Sequence, residues 1–251
     1  MSIMTLPKPL YEVGFKEYRR AHLYTVGDKT FISVTKVLDI IGGGKTRALT
    51  IWARREALKL AKAEILGYMD AGQQLNHVAL DELMQRADRQ PDKIKDAAAD
   101  LGTRVHNAID AFIMGKAPTL DPEAQKGFDN FMAWLQGEEL EFICGDINVA
   151  SVSIGYGGRL DAIARRKNGR LVLLDWKTSN GLREEYPLQV AAYGQAFKET
   201  YGLAIDEAWV VRFGKDKTDD FEPRQVNLDF ALPAFKSAFE LNEGMKKELW
   251  I

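Results

Sequence analysis

Two runs of mainly apolar positions in the middle of the chain, separated by a short polar segment, predict a β-hairpin. An apolar-rich run follows Gly158, and a second run at 171–174 comes shortly after the dipeptide Asn168-Gly169. Asn-Gly between two such runs is a strong hairpin signal, because both turn positions require a positive φ angle. Four consecutive apolar residues are typical of a strand that is buried on both faces. We therefore expect paired strands near 158–166 and 170–177.

Apolar residues with helical spacing flank this hairpin. Before it, a stripe recurs every three or four residues, which is typical of the buried face of an amphipathic helix that ends near Gly115. Its members are Leu101, Val105, Ile109 and Phe112. After the hairpin, Pro187 suits a first helical turn and Gly202 suits the end of the same helix. The sequence thus predicts one helix on each side of the hairpin.

The rest of the chain extends this alternation of helices and strands. Residues 11–31 are predicted to be extended or to form a short hairpin that turns at 26–29. Residues 33–115 are predicted to be mostly helical, with breaks at 42–44, 67–72 and 90–91. The remaining predicted elements are a helix near 122–136, a strand near 147–155, a helix at 187–201, a hairpin of 207–213 and 221–228, and a helix from about 230 to 249.

This order of elements predicts an α/β fold, with a central mixed sheet flanked by helices and an N-terminal helical portion. We expect an N-terminal extended and helical portion over residues 1–95. A core over residues 96–251 is expected to complete one compact unit.

Charged residues stand at the end of the second hairpin strand, which reads Asp175-Trp176-Lys177. Because side chains alternate along a strand, Asp175 and Lys177 point to the same face, and Asp161 on the partner strand can lie nearby. Buried charges are costly unless they pair with each other or bind a cation. The cluster is therefore either a plain ion pair or a divalent metal site with a lysine beside it.

Polar residues on the two flanking helices add to this cluster. His106 follows Gly102 by four residues, and a glycine inside a helix is tolerated where a close neighbour leaves no room for a side chain. Gln189 and Tyr193 share one helix face and can reach a phosphate or orient a lysine. Taken singly, each of these residues also fits a purely structural role.

Four motifs in this order resemble the PD-(D/E)XK nuclease superfamily, in its RecB-like exonuclease branch. They are Gly102-x3-His106, Gly158-x2-Asp161, Asp175-Trp176-Lys177-Thr178 and Gln189-x3-Tyr193. The N-terminal stretches 31–38 and 48–55 are also similar to phage-encoded exonucleases and to the mitochondrial genome-maintenance exonuclease. The resemblance implies a restriction-endonuclease-like core and a metal-dependent DNA nuclease, in particular an exonuclease.

The resemblance also implies a role for each motif residue. His106, Asp161 and Asp175 would bind Mg²⁺ or Mn²⁺, together with the main-chain carbonyl of Trp176. Lys177 would position or deprotonate the attacking water and help to neutralise the charge that develops on the phosphorus. Two further catalytic residues, which would order the active site and the DNA backbone, are Gln189 and Tyr193. The candidate DNA contacts are Ser33, Thr35, Lys45, Arg47, Arg54, Arg55 and Thr178.

One position departs from the pattern of this branch, which usually carries a glutamate on the strand before the hairpin. The corresponding region offers Asp146 or Glu141, and neither assignment is favoured by the sequence. Whether the site holds one metal ion or two therefore stays open.

Composition agrees with a globular enzyme that works in a reducing compartment. The chain has 251 residues and is 46% hydrophobic, and no apolar run approaches the ~20 residues of a membrane span. Its single cysteine, Cys144, excludes an internal disulfide and also the four-cysteine iron–sulfur cluster of some relatives in this branch. No secretory signal is evident. We expect a cytoplasmic protein of a bacterial or phage-infected cell that does not act at a membrane.

The charge distribution favours a nucleic acid partner more than the net charge of −2 does. The first 66 residues carry 12 Lys and Arg against 6 Asp and Glu. The basic residues concentrate in one predicted helical region, where they either neutralise phosphates or form a solvated helix face.

Two other functions remain as alternatives. The segment 42–46, Gly-Gly-Gly-Lys-Thr, resembles the end of a phosphate-binding loop of ATPases, but Asp39 occupies the position of that loop's first glycine. The other alternative is a protein of nuclease fold that binds DNA without cutting it.

Overall fold

The computed structural model of the chain describes residues 6–19, 21–41, 43–215 and 217–247, and only the backbone of residues 43–46. The chain divides into two compact units. One consists of Met1–Ile41 together with Gly102–Ile251, and the other is Gly42–Leu101. Among the described residues, none of the helices combines the length and the apolar character that a membrane crossing requires.

A mixed eight-stranded sheet forms the centre of the first unit, which confirms the predicted α/β class. Its strands are β1 (Gly14–Tyr18), β2 (Ala21–Val26), β3 (Lys29–Ser33), β4 (Leu140–Ser151), β5 (Tyr156–Arg166), β6 (Leu171–Lys177), β7 (Glu207–Phe213) and β8 (Phe221–Gln225). The order is β1-β2-β3-β5-β6-β7-β8, and β4 pairs with β5. The pairs β3/β5 and β6/β7 are parallel, and the others are antiparallel.

In the described part of the chain, six α-helices and one short 3₁₀ turn accompany the sheet. They are α1 (Val34–Leu38), the 3₁₀ turn Asp39–Ile41, α2 (Gly43–Asp70), α3 (His77–Ile113), α4 (Pro122–Gln136), α5 (Glu185–Tyr201) and α6 (Leu228–Gly244). A phosphate-binding loop of the ATPase type directly follows a strand. Here, α1 and the 3₁₀ turn separate β3 from the start of α2, so the described backbone lacks that context.

Different side chains cover the two faces of the central strands. The main core joins residues of β5 and β6, such as Leu160 and Leu173, to α5 and α6 through Phe197 and Phe235. Trp176, by contrast, belongs to an aromatic cluster. Its other members are Phe131, Trp134, Phe142 and Phe213. Because side chains alternate along β6, the Trp176 ring fixes the end of this strand while its two charged neighbours face the other way.

The central hairpin is confirmed, but its predicted two-residue turn is wrong. Gly169 has φ +88°, whereas Asn168 has no positive φ. The Gly169 N–H donates to the Arg166 carbonyl, and the Arg166 N–H donates to the Arg170 carbonyl. The connection is therefore a three-residue loop in which glycine alone adopts the left-handed conformation, another common hairpin geometry.

The other differences from the prediction arise mainly from packing between distant segments. The N-terminal region forms three strands instead of one hairpin, and β4 begins at Leu140 instead of near residue 147. The predicted break at 90–91 is wrong, because α3 continues through Pro91. A proline inside a helix costs about 3 kcal/mol. Pro91 is buried one turn after the buried Ala87, so its packing offsets part of this cost.

The second unit is built from α2 and the first part of α3. Ala61 on α2 packs against Leu83 and Ala87 on α3. An ion pair of 2.5 Å between Arg86 and Glu64 joins the same two helices. α2 ends at Asp70, within the predicted break at 67–72, and Gly72 follows it with φ +63°.

Candidate active site

The site lies where two strands end beside the middle of β5. The end of β3 pairs in parallel with the first residues of β5, through Ser33 and Gly157. The end of β6 approaches from the opposite direction, since β6 is antiparallel to β5 and pairs Leu174 with Ala162. The segment of β5 between these pairings carries the predicted motif Gly158-x2-Asp161.

Two aspartates and a lysine meet at this point, as the alternation along β6 predicts. Lys177 and Asp175 form an ion pair, and their side chains are only 16% and 2% exposed. Asp161 Oδ2 accepts a hydrogen bond of 2.7 Å from the backbone N–H of Trp176. This bond fixes one oxygen of Asp161 and ties β5 to the last residues of β6.

His106 joins the cluster from α3. Its Nδ1 lies 3.7 Å from Asp161 Oδ1, which is too long for a hydrogen bond. The histidine also interacts with the main chain of Trp176. Three of the four predicted metal-ligating residues, His106, Asp161 and Trp176, are therefore neighbours, and the fourth, Asp175, is paired with Lys177.

Burial and mutual charge set the ionisation of these groups. Burial, helped by the Lys177 charge, lowers the pKa of His106 to about 4. Burial also raises the pKa of Asp161, and together with the Asp161 charge it raises that of Asp175 to about 6, against the opposing effect of Lys177. Burial alone would lower the pKa of Lys177, but the two carboxylates outweigh it and raise that pKa. Two carboxylates thus share one ammonium in a poorly solvated place.

The donor types in this cluster fit a divalent cation. Carboxylate and main-chain oxygens suit Mg²⁺ or Mn²⁺, and a neutral imidazole nitrogen suits Mn²⁺ better than Mg²⁺. Within the described part of the chain, however, no three His, Cys, Asp or Glu side chains already converge in a metal-binding arrangement. His106 Nδ1 lies near Asp161 Oδ1, while Asp175 is paired with Lys177.

Gln189 and Tyr193 on α5 are held together beside the carboxylates. Gln189 Nε2 donates a 2.8 Å hydrogen bond to Tyr193 Oη. Burial and the nearby charges of Asp175 and Asp161 raise the pKa of Tyr193 well above its usual value. The Tyr193 ring packs on Gly158, where any Cβ atom would overlap it. The glycine of the second motif therefore makes room for the tyrosine of the fourth.

We predict that Gly158→Ala destabilises the fold by about 1–3 kcal/mol, because the added methyl must displace the Tyr193 ring. Thermal unfolding measures the loss. Gly67→Ala is the matched control, since Gly67 lies in α2 with open space around it, and alanine there should leave stability unchanged or raise it. Equal unfolding temperatures for Gly158→Ala and the wild type would contradict the packing described above.

The glycine of the first motif has a similar role. A Cβ atom at Gly102 would lie 2.7 Å from Thr178 Oγ1. The close neighbour expected for this helical glycine is thus Thr178, which follows Lys177. Because Gly102 has no side chain, α3 can approach the end of β6 closely, and this approach also brings His106 to the carboxylates.

Asp146, and not Glu141, lies beside the cluster. Asp146 stands opposite Asp161 on β4, between the paired residues Gly145 and Ile147, and has φ +54°. It forms an ion pair with Arg159. Glu141 is exposed near the start of β4 and is paired in register with Arg165.

Two residues near the cluster were not predicted from the sequence. Asp110 lies one turn after His106 on α3, and burial with the charges of Asp146 and Asp161 raises its pKa to about 7. Its spacing of four residues from His106 was a usable signal. Tyr186 places its ring centroid 4.9 Å from Lys177 Nζ, and no spacing rule connects these two residues.

The predicted DNA contacts occupy varied positions. Ser33 is buried and caps α1, accepting a 3.1 Å hydrogen bond from the Lys36 N–H. Thr35 is exposed, with its hydroxyl 3.0 Å from that of Ser33. Arg47, Arg54 and Arg55 are exposed on α2, and the side chain of Lys45 lies outside the described part of the chain.

A lysine between carboxylates at the strand ends of an α/β sheet suits phosphodiester hydrolysis, in which negative charge develops and must be neutralised. The family comparison agrees with this class of enzyme. The chain belongs to the PD-(D/E)XK nuclease superfamily, whose family model matches residues 52–243.

Two solved structures show a distant similarity. A protein named SSO0001 has 18% identity and a TM-score of 0.31, over 47% of this chain and 57% of its own. A protein from Eubacterium rectale, described as a putative exonuclease, has 13% identity and a TM-score of 0.43, over 58% of this chain and 65% of its own. The chain thus spans less than two thirds of either protein. No curated protein matches it.

Proposed function

We propose that this chain is a metal-dependent deoxyribonuclease that acts as an exonuclease on DNA ends or single strands. The observation that carries the proposal is the buried pair of Asp175 and Lys177, with Asp161 and His106 beside it. A structural ion pair needs neither the second carboxylate nor the histidine, whereas a hydrolytic site uses all four.

Each residue of the cluster has a proposed role. His106, Asp161, Asp175 and the main-chain carbonyl of Trp176 would hold Mg²⁺ or Mn²⁺. A bound divalent cation lowers the pKa of water and stabilises the charge that develops on the phosphate. Asp146 is the candidate for an additional carboxylate ligand, because it stands opposite Asp161.

Lys177 and α5 complete the site. The Lys177 ammonium orients the attacking water and neutralises charge on the phosphate oxygens as the bond breaks. The Tyr186 ring lies against this ammonium and restricts its position. Gln189 holds the Tyr193 hydroxyl toward the carboxylates, so that the pair can order a DNA phosphate. Thr178 is proposed to contact the DNA beside Lys177.

One experiment tests the activity and its direction together. Single- and double-stranded oligonucleotides, labelled at either end, are incubated with the protein and Mg²⁺ or Mn²⁺. An exonuclease releases mononucleotides or short fragments from one labelled end first and leaves covalently closed circular DNA intact. Cutting of the circle would indicate an endonuclease, and binding without any cutting would support a DNA-binding protein of nuclease fold.

The exposed arginines of α2 are proposed to bind DNA phosphates. Such contacts release counterions and do not depend on sequence. We predict that the double variant Arg54→Ala/Arg55→Ala binds DNA more weakly than the wild type, and that the loss of affinity is similar for unrelated DNA sequences. The slope of log affinity against log salt concentration should fall by about one unit for each lost contact.

A double variant elsewhere controls for the change in net charge. Lys246→Ala/Lys247→Ala also removes two exposed positive charges, from the segment that follows α6. Fluorescence anisotropy at several salt concentrations compares the two variants. If both give the salt slope of the wild type, the arginines of α2 only solvate a helix face.

A further inference from the structure

A cavity of about 290 Å³ opens beside the catalytic cluster, within the first unit. The first turn of α5 borders it with Tyr186 and Pro187, and β7 and β8 border it with Val210, Glu222 and Arg224. Arg183, in the loop between β6 and α5, completes its rim.

Strand register places this cavity on the same face of the sheet as Lys177. Asp175 pairs with Val210 on β7, and Val210 pairs with Arg224 on β8. Directly paired residues on neighbouring strands point to the same face. Strands lie 4.7–4.9 Å apart, so Arg224 stands roughly 10 Å from Asp175 across the sheet.

Tyr186 borders both the cavity and the proposed catalytic lysine. Lys177 Nζ lies over its ring, and the same residue forms part of the cavity wall. Its hydroxyl donates a 3.2 Å hydrogen bond to Ser179, which fixes the ring at this boundary. The cavity therefore lies next to the lysine, with the Tyr186 side chain common to both.

The lining combines an apolar interior with a cationic rim. Val210 is buried, and Pro187 and the Tyr186 ring add flat apolar surface of the kind on which a nucleobase stacks. Arg183 and Arg224 lie at the rim, with side chains 43% and 72% exposed. Each is near one glutamate, at 3.9 Å from Glu185 and 3.1 Å from Glu222, and exposed pairs of this kind are weak enough for a phosphate to replace.

We propose that this cavity binds one unpaired nucleotide of the DNA strand, next to the phosphate that is cut. The base lies against Tyr186, Pro187 and Val210, and the phosphate of this nucleotide binds Arg224 and Arg183. This inference rests on the proposed nuclease function and adds a specificity to it. The cavity admits a single base, so a paired end must open before it is cut.

Mononucleotide binding tests the cavity without requiring catalysis. In EDTA, calorimetry compares deoxyadenosine monophosphate, deoxyadenosine and inorganic phosphate as ligands of the wild-type protein. We expect the mononucleotide to bind more tightly than either fragment, since the base and the phosphate have separate partners. Inorganic phosphate binding as tightly as the mononucleotide would overturn the proposal.

Arginine variants locate the binding. Arg224→Ala should weaken mononucleotide binding about tenfold, as expected for one lost charge-assisted hydrogen bond, and Arg183→Ala should act in the same direction. Arg170→Ala is the matched control, because it removes another exposed, ion-paired arginine at the far end of β6. Equal affinities for Arg224→Ala and the control would overturn the proposal.

Cleavage assays separate this inference from the proposed function. On single-stranded oligonucleotides, Arg224→Ala should raise KM with little change in kcat, and an abasic nucleotide beside the cut phosphate should have a similar effect. If the Arg224→Ala variant cuts DNA with the same KM as the wild type, the cavity proposal fails and the proposed nuclease function stands. If the protein cuts no DNA, the nuclease function fails and with it the role of the cavity in cleavage, even where mononucleotide binding persists.

Discussion

Lys177→Ala is expected to reduce DNA cleavage by about 10²–10⁴-fold, the usual contribution of one positioned proton-transfer or charge-stabilising group. Metal binding and DNA binding should change little, because the proposed ligands and the α2 arginines remain. The large loss of cleavage is expected because, in the described structure, Lys177 is the only cation shown within ion-pair distance of the buried Asp175 carboxylate. Single-turnover cleavage measures the loss, with anisotropy as the binding assay.

A loss of folding must be distinguished from a loss of chemistry. Removing Lys177 leaves Asp175 buried without its counter-charge, which is destabilising unless a cation replaces the ammonium. Unfolding is therefore measured with and without Mn²⁺. Lys167→Ala, which removes an exposed lysine in the turn of the same hairpin, should cut like the wild type. Wild-type cleavage by Lys177→Ala would show that the strand end is only a structural ion pair.

The central hairpin could be predicted because its signals are local. Alternation along one strand places Asp175 and Lys177 on the same face, and antiparallel pairing brings Asp161 to them. The second conclusion depends on the register that the turn sets. The three-residue loop pairs Ala162 with Leu174, so Asp161 stands opposite Asp175. The predicted two-residue turn would shift this register by one residue and turn Asp161 to the other face, so the error over Asn168 affects the placement of Asp161.

Contacts between distant segments could not be predicted in the same way. The parallel pairing of Ile32 with Tyr156 joins the N-terminal strands to the central sheet across more than a hundred residues. Likewise, the choice between Asp146 and Glu141 depends on the register of β4, which shifts between Phe142 and Cys144. A bulge changes which side chain faces the site, and the sequence carries no clear signal for it.

Tyr186 illustrates a further limit. Its sequence position next to Pro187 indicates only the start of a helix. Its contact with Lys177 depends on how the loop between β6 and α5 folds back, which involves the hydrogen bond from Ser179 Oγ to the Gly181 carbonyl. Gly158, by comparison, was found through its motif, and the structure supplies the physical reason for that motif in the ring of Tyr193.

The second large effect is expected from removal of the metal or its ligands. EDTA should stop DNA cleavage, and Mn²⁺ should support it at least as well as Mg²⁺, because the ligand set includes a histidine nitrogen. In the absence of DNA, Mn²⁺ at 100 times its Kd should stabilise the wild-type protein by about 2.7 kcal/mol. Thermal unfolding with and without Mn²⁺ measures this effect independently of catalysis.

Asp161→Asn and Asp175→Asn should each lose both the cleavage and the stabilisation by Mn²⁺, because the amide keeps the shape of the side chain but removes its charge. Glu141→Gln is the matched control. It neutralises an exposed carboxylate near the start of β4, and it should keep both the cleavage and the stabilisation by Mn²⁺. Asp146→Asn distinguishes one cation from two, since loss of part of the Mn²⁺ stabilisation would indicate an additional ligand beside Asp161. Full cleavage in EDTA, or unchanged Mn²⁺ stabilisation in Asp161→Asn, would show that the Asp161 carboxylate serves only to fix the Trp176 N–H at the end of β6.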